Sequence, residues 1–108
     1  MLNDLKLLLG IPEAETDLDE LLLKIIAMVT ARLSLLLGGA EPPEEMDHII
    51  LDVAVIRFNR IGAEGMTAHS VEGESHQFVD DDFAQFKDEI QDWLSRQKES
   101  TKGKLRFL

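Results

Sequence analysis

The sequence predicts a mainly α fold, a small bundle of three to four helices with one β-hairpin between the last two long helices. Three observations lead there. Apolar residues recur at helical spacing in four separate stretches, beginning near Leu2, Leu18, Pro43 and Asp82. Glycines and prolines fall where those stretches should stop: Gly10, the Gly38-Gly39 pair, and Pro42-Pro43. The interval Met66–Val79 loses the helical period and carries a turn signal at Glu72-Gly73. With 108 residues the chain has the length of one domain with one modest core. We divide it into a helical domain over 1–97 and an extended basic tail over 98–108.

The first helix is expected over Leu2–Leu9, with Leu2, Leu5, Leu8 and Leu9 on one face and Gly10 as its stop. Thr16 or Asp17 offers a cap for the second, about Leu18 to Leu37, and acidic residues at 17, 19 and 20 suit the positive end of its dipole. One stripe of this helix is Leu18, Leu22, Ile25, Val29, Leu33 and Leu36. A second stripe, Leu21, Met28 and Leu35, repeats every seven residues. A surface helix needs only one apolar face, so two stripes point to burial on two sides, one of them against a neighbouring subunit.

The third helix, from about Pro43 to Ile61, has the same character. Met46, Ile49, Ile50, Val53 and Ala54 form one side and Leu51, Val55 and Phe58 another, leaving His48, Asp52 and Asn59 as the wet strip. Arg57 and Arg60 fall near its C-terminal end, where cations suit the dipole; with Asn59, Gly62 and Gly65 they make a helix-end turn, Gly62 as a left-handed cap. In a two-residue hairpin turn at Glu72-Gly73, Val71 faces Glu74, Ser70 faces Ser75 and His69 faces His76. Neither face is consistently apolar, and an isolated hairpin is marginal in water, so it should rest on something else, such as another copy of the chain. Asp80-Asp81-Asp82 caps the last helix, about Asp82 to Gln97, with Phe83, Phe86, Ile90, Trp93 and Leu94 on one stripe.

The formal net charge is −10. A surface that acidic repels phosphate backbones, which argues against a nucleic-acid binder. The charge is uneven, because Arg96, Lys98, Lys102, Lys104 and Arg106 stand against only Glu99 at the C-terminal end. Absence of cysteine excludes disulfides and thiolate metal sites and fits an intracellular or virion setting better than a secreted one. The opening MLNDLKLLLG lacks the basic n-region and cleavage site of a signal peptide, and no apolar run approaches the ~20 residues of a membrane helix, so a soluble protein without a membrane partner is expected.

Catalytic readings fare poorly. His48 and Asp52 lie four apart on a helix but make only two ligands, and a solvated pair accounts for them. His69 and His76 could hold a metal across the hairpin, but no third ligand has an obvious position. Ser70 and Ser75 beside those histidines lack an orienting group for nucleophilic work. The glycines at 62, 65 and 73 are not followed by the Lys-Ser/Thr of a phosphate loop. No catalytic residue, cofactor or metal is expected. The tail reads differently: Leu105, Phe107 and Leu108 alternate with cations, the pattern of a segment that orders on a partner.

In order along the chain, MLNDLKLLLGI, TDLDELLLKII, LDVAVIRFNRIGAEGM and SVEGESHQF followed by the DDDF-capped helix resemble the head–tail connector family of tailed phages and prophages, also called adaptor or DNA-packaging proteins. The likeness spans most of the chain. It departs at LSLLLGG, where that family often carries an aromatic and polar segment. The resemblance implies a non-enzymatic virion protein at the head–tail junction, in the host cytoplasm during assembly. It implies a homo-oligomeric ring, usually twelvefold, that can be monomeric in isolation. Its partners would be the portal protein and a downstream head-completion or tail protein, with DNA passing through but not specifically bound. On that reading, Lys102, Lys104, Leu105, Arg106, Phe107 and Leu108 dock to the portal. Residues His69 to His76 meet the lumen or a neighbour, and Leu21, Met28, Leu35, Leu51, Val55 and Phe58 are candidates for the subunit interface. The competing readings are a non-viral helical protein–protein interaction module and a small metal-dependent enzyme using His69 and His76.

Overall fold

The structure, a computed structural model, describes residues 1–63 and 80–106. Their regular secondary structure is all helical, with no strand among them: α1 (Leu2–Leu9), α2 (Asp19–Leu36), α3 (Asp47–Ala63) and α4 (Lys87–Arg106). A short 3-10 turn, Glu44–Met46, leads into α3, and a longer one, Asp80–Phe86, leads into α4. The mainly α expectation therefore holds over the described residues. The hairpin expected at Met66–Val79, with His69 to His76, lies outside them, as does Gly65.

Two helix ends follow directly from glycine. Gly10 adopts φ 75°, and the amides of Gly10 and Ile11 donate to the carbonyls of Leu7 and Lys6. Gly38 (φ 77°) repeats the arrangement, with Gly38 and Gly39 donating to Leu35 and Ser34. Both are Schellman ends, where the left-handed residue must avoid a Cβ clash. Ser34 Oγ also donates to the Ala40 carbonyl at 2.9 Å, which ties the stiff Pro42-Pro43 connector to the end of α2.

Other ends depart from the sequence reading. Neither Thr16 nor Asp17 caps α2 through its side chain; Leu18 occupies the cap position. Gly62 is not a left-handed cap, because α3 runs through it to Ala63. The DDD run opens a 3-10 turn rather than capping an α-helix. The segment from Lys98, expected as an extended tail, continues α4 to Arg106. Its Lys, Glu, Leu and Arg are good helix formers, and the single Gly103 costs only about 1 kcal/mol.

The core lies chiefly between α2 and α3, with α1 packed on both and the Asp80–Phe86 turn packed on α3. Leu22, Ile25, Val29 and Leu33 of α2 meet Ile49, Ile50, Val53 and Ala54 of α3; Leu5 of α1 and Met46 complete the centre. Phe83 and Ile90 are buried and Phe86, Trp93 and Leu94 half-buried, as their single stripe predicts. Beyond Leu94, Ser95 to Lys98 are all exposed. Among the residues of α4 whose burial is described, contact with the core ends at Leu94.

Candidate functional site

Among the described residues, no three His, Asp or Glu side chains come together as a metal site, and no helix is long and apolar enough to cross a membrane. What the fold builds instead is a set of internal charge clasps and a surface with apolar residues left outside.

The first clasp is Lys6, only 2% exposed. Its Nζ donates to the carbonyls of Glu13 (2.9 Å) and Glu15 (2.5 Å) and lies 2.8 Å from Asp19 Oδ1. The carboxylate contact is ionic rather than a directed hydrogen bond. A buried ammonium is costly unless its donors are engaged, and here they fix the α1–α2 loop against α1. The sequence reading missed Lys6. The available signal was its position about 100° from Leu5, flanking the Leu2–Leu5–Leu9 face.

The second clasp joins α3 to the turn before α4. Both terminal guanidinium nitrogens of Arg60 donate to the two carboxylate oxygens of Asp82, the Nη1–Oδ2 bond being 3.1 Å. The Asp82 side chain is only 4% exposed. A bidentate arginine–carboxylate pair fixes direction as well as distance. Arg60 and Asp82 were read as a dipole partner and a helix cap; they are each other's counter-ions. Arg57, also read as a helix-end cation, is buried on the core face of α3. Its spacing of seven from Ile50 and four from Val53 places it there.

His48, paired on sequence grounds with Asp52, instead meets Glu89 of α4. Nε2 lies 2.9 Å from Glu89 Oε2, and the ring stands edge-on to Phe86 at a centroid distance of 5.9 Å. Both partners are exposed, so the pair contributes little. His48, Asp52 and Asn59 are all exposed, forming the wet strip of α3.

The six candidate interface residues divide. Leu21, Leu51, Val55 and Phe58 are half-buried and pack against the core, and Met28 is half-buried. Leu35 is 67% exposed. Leu7 (79% exposed), Leu8 and Leu23 are also exposed, none of them in the candidate set. Leu7 lies about 200° around α1 from buried Leu5, which marks it as outward-facing in a helix with one buried face. Leu8, expected on the buried stripe, is exposed as well. In the C-terminal segment, Lys102, Lys104, Leu105 and Arg106 lie on α4, whereas Phe107 and Leu108 fall outside the described residues.

Comparison with curated proteins gives no match, and comparison with solved structures gives none either. A family model described as phage gp6-like head-tail connector protein matches residues 1–93, from α1 through the docked turns of α4. A helical body held by internal charge clasps, with leucines left outside and a match over that whole body, makes this chain a member of the phage head–tail connector family.

Proposed function

We propose that this chain assembles as a ring beneath the portal of a DNA-filled phage head, extending the DNA channel and presenting a surface to the next head-completion or tail protein. The observation that carries the reading is the family match over residues 1–93. Two features support it. Leu35, continuing the Leu21–Met28 stripe, leaves apolar surface outside the core; burying a leucine contributes roughly 1.5–3 kcal/mol, and side-by-side subunits supply the burial. The net charge of −10 offers few cations to passing phosphates. In the ring, Leu21, Met28, Leu35, Leu51, Val55 and Phe58 border the neighbouring subunit, and the interval His69 to His76 faces the lumen or a neighbour. The role is structural, without a cofactor.

The test is electron microscopy of the full chain mixed with portal-bearing, connector-free heads. A closed ring of added density below the portal is the expected result. Heads that stay unchanged at saturating protein overturn the reading, whereas a monomer in the absence of portal does not.

A further inference from the structure

Two apolar faces of the body stay uncovered among the described residues. The outer side of α1 carries Leu7 and Leu8 beside Asp4, all exposed, while Leu5 and Lys6 turn inward. The outer side of α2 carries Leu23, Ala27, Ala31 and Leu35, four exposed residues spaced four apart. Ala27 lies two residues from both Ile25 and Val29, about 200° around the helix from each of those buried side chains. The row therefore points away from the core. Rows at this spacing are the ridges by which helices pack on one another.

The two faces complement each other in shape and in charge. Leu23 and Leu35 stand about 18 Å apart along α2, with the two alanines as a low saddle between them. α1 has eight residues and is about 12 Å long, so it fits over that saddle with Leu7 and Leu8 against it. Asp4 is exposed, and its ion pair with the Met1 amine is a long 4.0 Å. Lys24, beside Leu23 on the outer side of α2, is exposed and has no ion pair among the described residues. One parallel register satisfies both demands. Asp4 over Lys24 sets Leu7 and Leu8 over Ala27, carries Ile11 toward Ala31, and leaves the like charge of Glu20 beyond the start of α1. The antiparallel arrangement with the same ion pair carries both leucines off the saddle toward Glu20.

We propose that the outer face of α1 of one copy packs parallel to α2 of the next, Asp4 against Lys24 and Leu7 and Leu8 on the Ala27–Ala31 saddle. The two surfaces differ, so the contact is head-to-tail, the kind that repeats around a closed ring. It gives Leu35, the outward end of the second α2 stripe, a partner, and it brings in Leu7, Leu8 and Leu23, which that stripe does not contain. The proposal rests on the ring reading for its role in the virion, but the contact itself can be tested without a ring.

The chain has no cysteine, so introduced cysteines report the contact directly. Full-length Leu7→Cys and Ala27→Cys chains are mixed, either bound to portal-bearing heads or concentrated in solution, and oxidised. Disulfides between the two variants should exceed those within either variant by about tenfold, because only the first pair comes within bonding range. Leu7→Cys mixed with Asn59→Cys, an exposed site on α3, should give no such product. Adding Asp4→Lys to the Leu7→Cys chain, with its fold confirmed by circular dichroism, should lower the yield about tenfold. Adding Lys24→Asp to the Ala27→Cys chain should then restore it. Ala27–Ala27 disulfides in equal or greater yield overturn the proposal in favour of an isologous contact between α2 helices. Unchanged yield with Asp4→Lys overturns it too, as does absence of the mixed disulfide in both settings. Rings on heads without the mixed disulfide sink this contact and leave the ring reading intact. Mixed disulfides in solution from chains that never form rings on heads keep the contact and sink the ring reading.

Discussion

α3 and α4 are of similar length, yet they are held in opposite ways. α3 is gripped along its whole length: Ile49, Ile50, Val53, Ala54 and Ile61 are buried, and Leu51, Val55 and Phe58 half-buried beside them. α4 is gripped at its start, by Ile90, Trp93 and Leu94 after the Phe83–Phe86 turn, and Ser95 to Lys98 beyond them are exposed. The contrast separates two sources of precision. Apolar interdigitation is the main contact of α2 against α3. At the start of α4 apolar contact is joined by a bidentate ion pair, Arg60–Asp82, between α3 and the turn that leads into it.

The largest effect that can break this contrast is Arg60→Met. It leaves the Asp82 carboxylate buried without its guanidinium, and should cost about 3 kcal/mol in urea unfolding. Arg60→Met/Asp82→Leu should recover most of that loss, because replacing both charges by apolar groups removes the uncompensated one. A single-variant loss below about 1 kcal/mol would mean that apolar contact alone seats α4. Next in size is Lys6→Met, which keeps the volume of the stem but strips the Glu13 and Glu15 carbonyls of their donor. About 2 kcal/mol is expected, with faster hydrogen exchange confined to the α1–α2 loop. Unchanged exchange there would show that the loop holds itself.

The comparison also explains what could be read from sequence. The α2 and α3 core residues were legible because burial leaves a 3.6-residue period, and the Schellman ends were legible because only glycine enters φ near 75° without strain. Lys6, Arg57 and Asp82 were not, because a charged residue on a buried face breaks the apolar pattern that announces the face. Partners distant in sequence were hidden too: Asp82 is 22 residues from Arg60, and Glu89 is 41 from His48. Local dipole and capping arguments filled the gap with plausible but different partners. The onward run of α4 was missed because the sequence from Lys98 onward carries no apolar stripe at helical spacing. Leu7 was missed for the converse reason, since a run of leucines hides which one faces out.

Leu35 has the smallest expected effect on stability and bears most directly on the account. It stands at the exposed end of the second stripe of α2, so Leu35→Glu should leave unfolding free energy within about 0.5 kcal/mol of wild type. The decisive measurement is electron microscopy of this variant and of wild type on portal-bearing heads, with stability measured alongside. The account predicts rings with wild type and heads without rings for a fully folded Leu35→Glu chain. Rings formed equally by both would contradict the placement of that stripe between subunits.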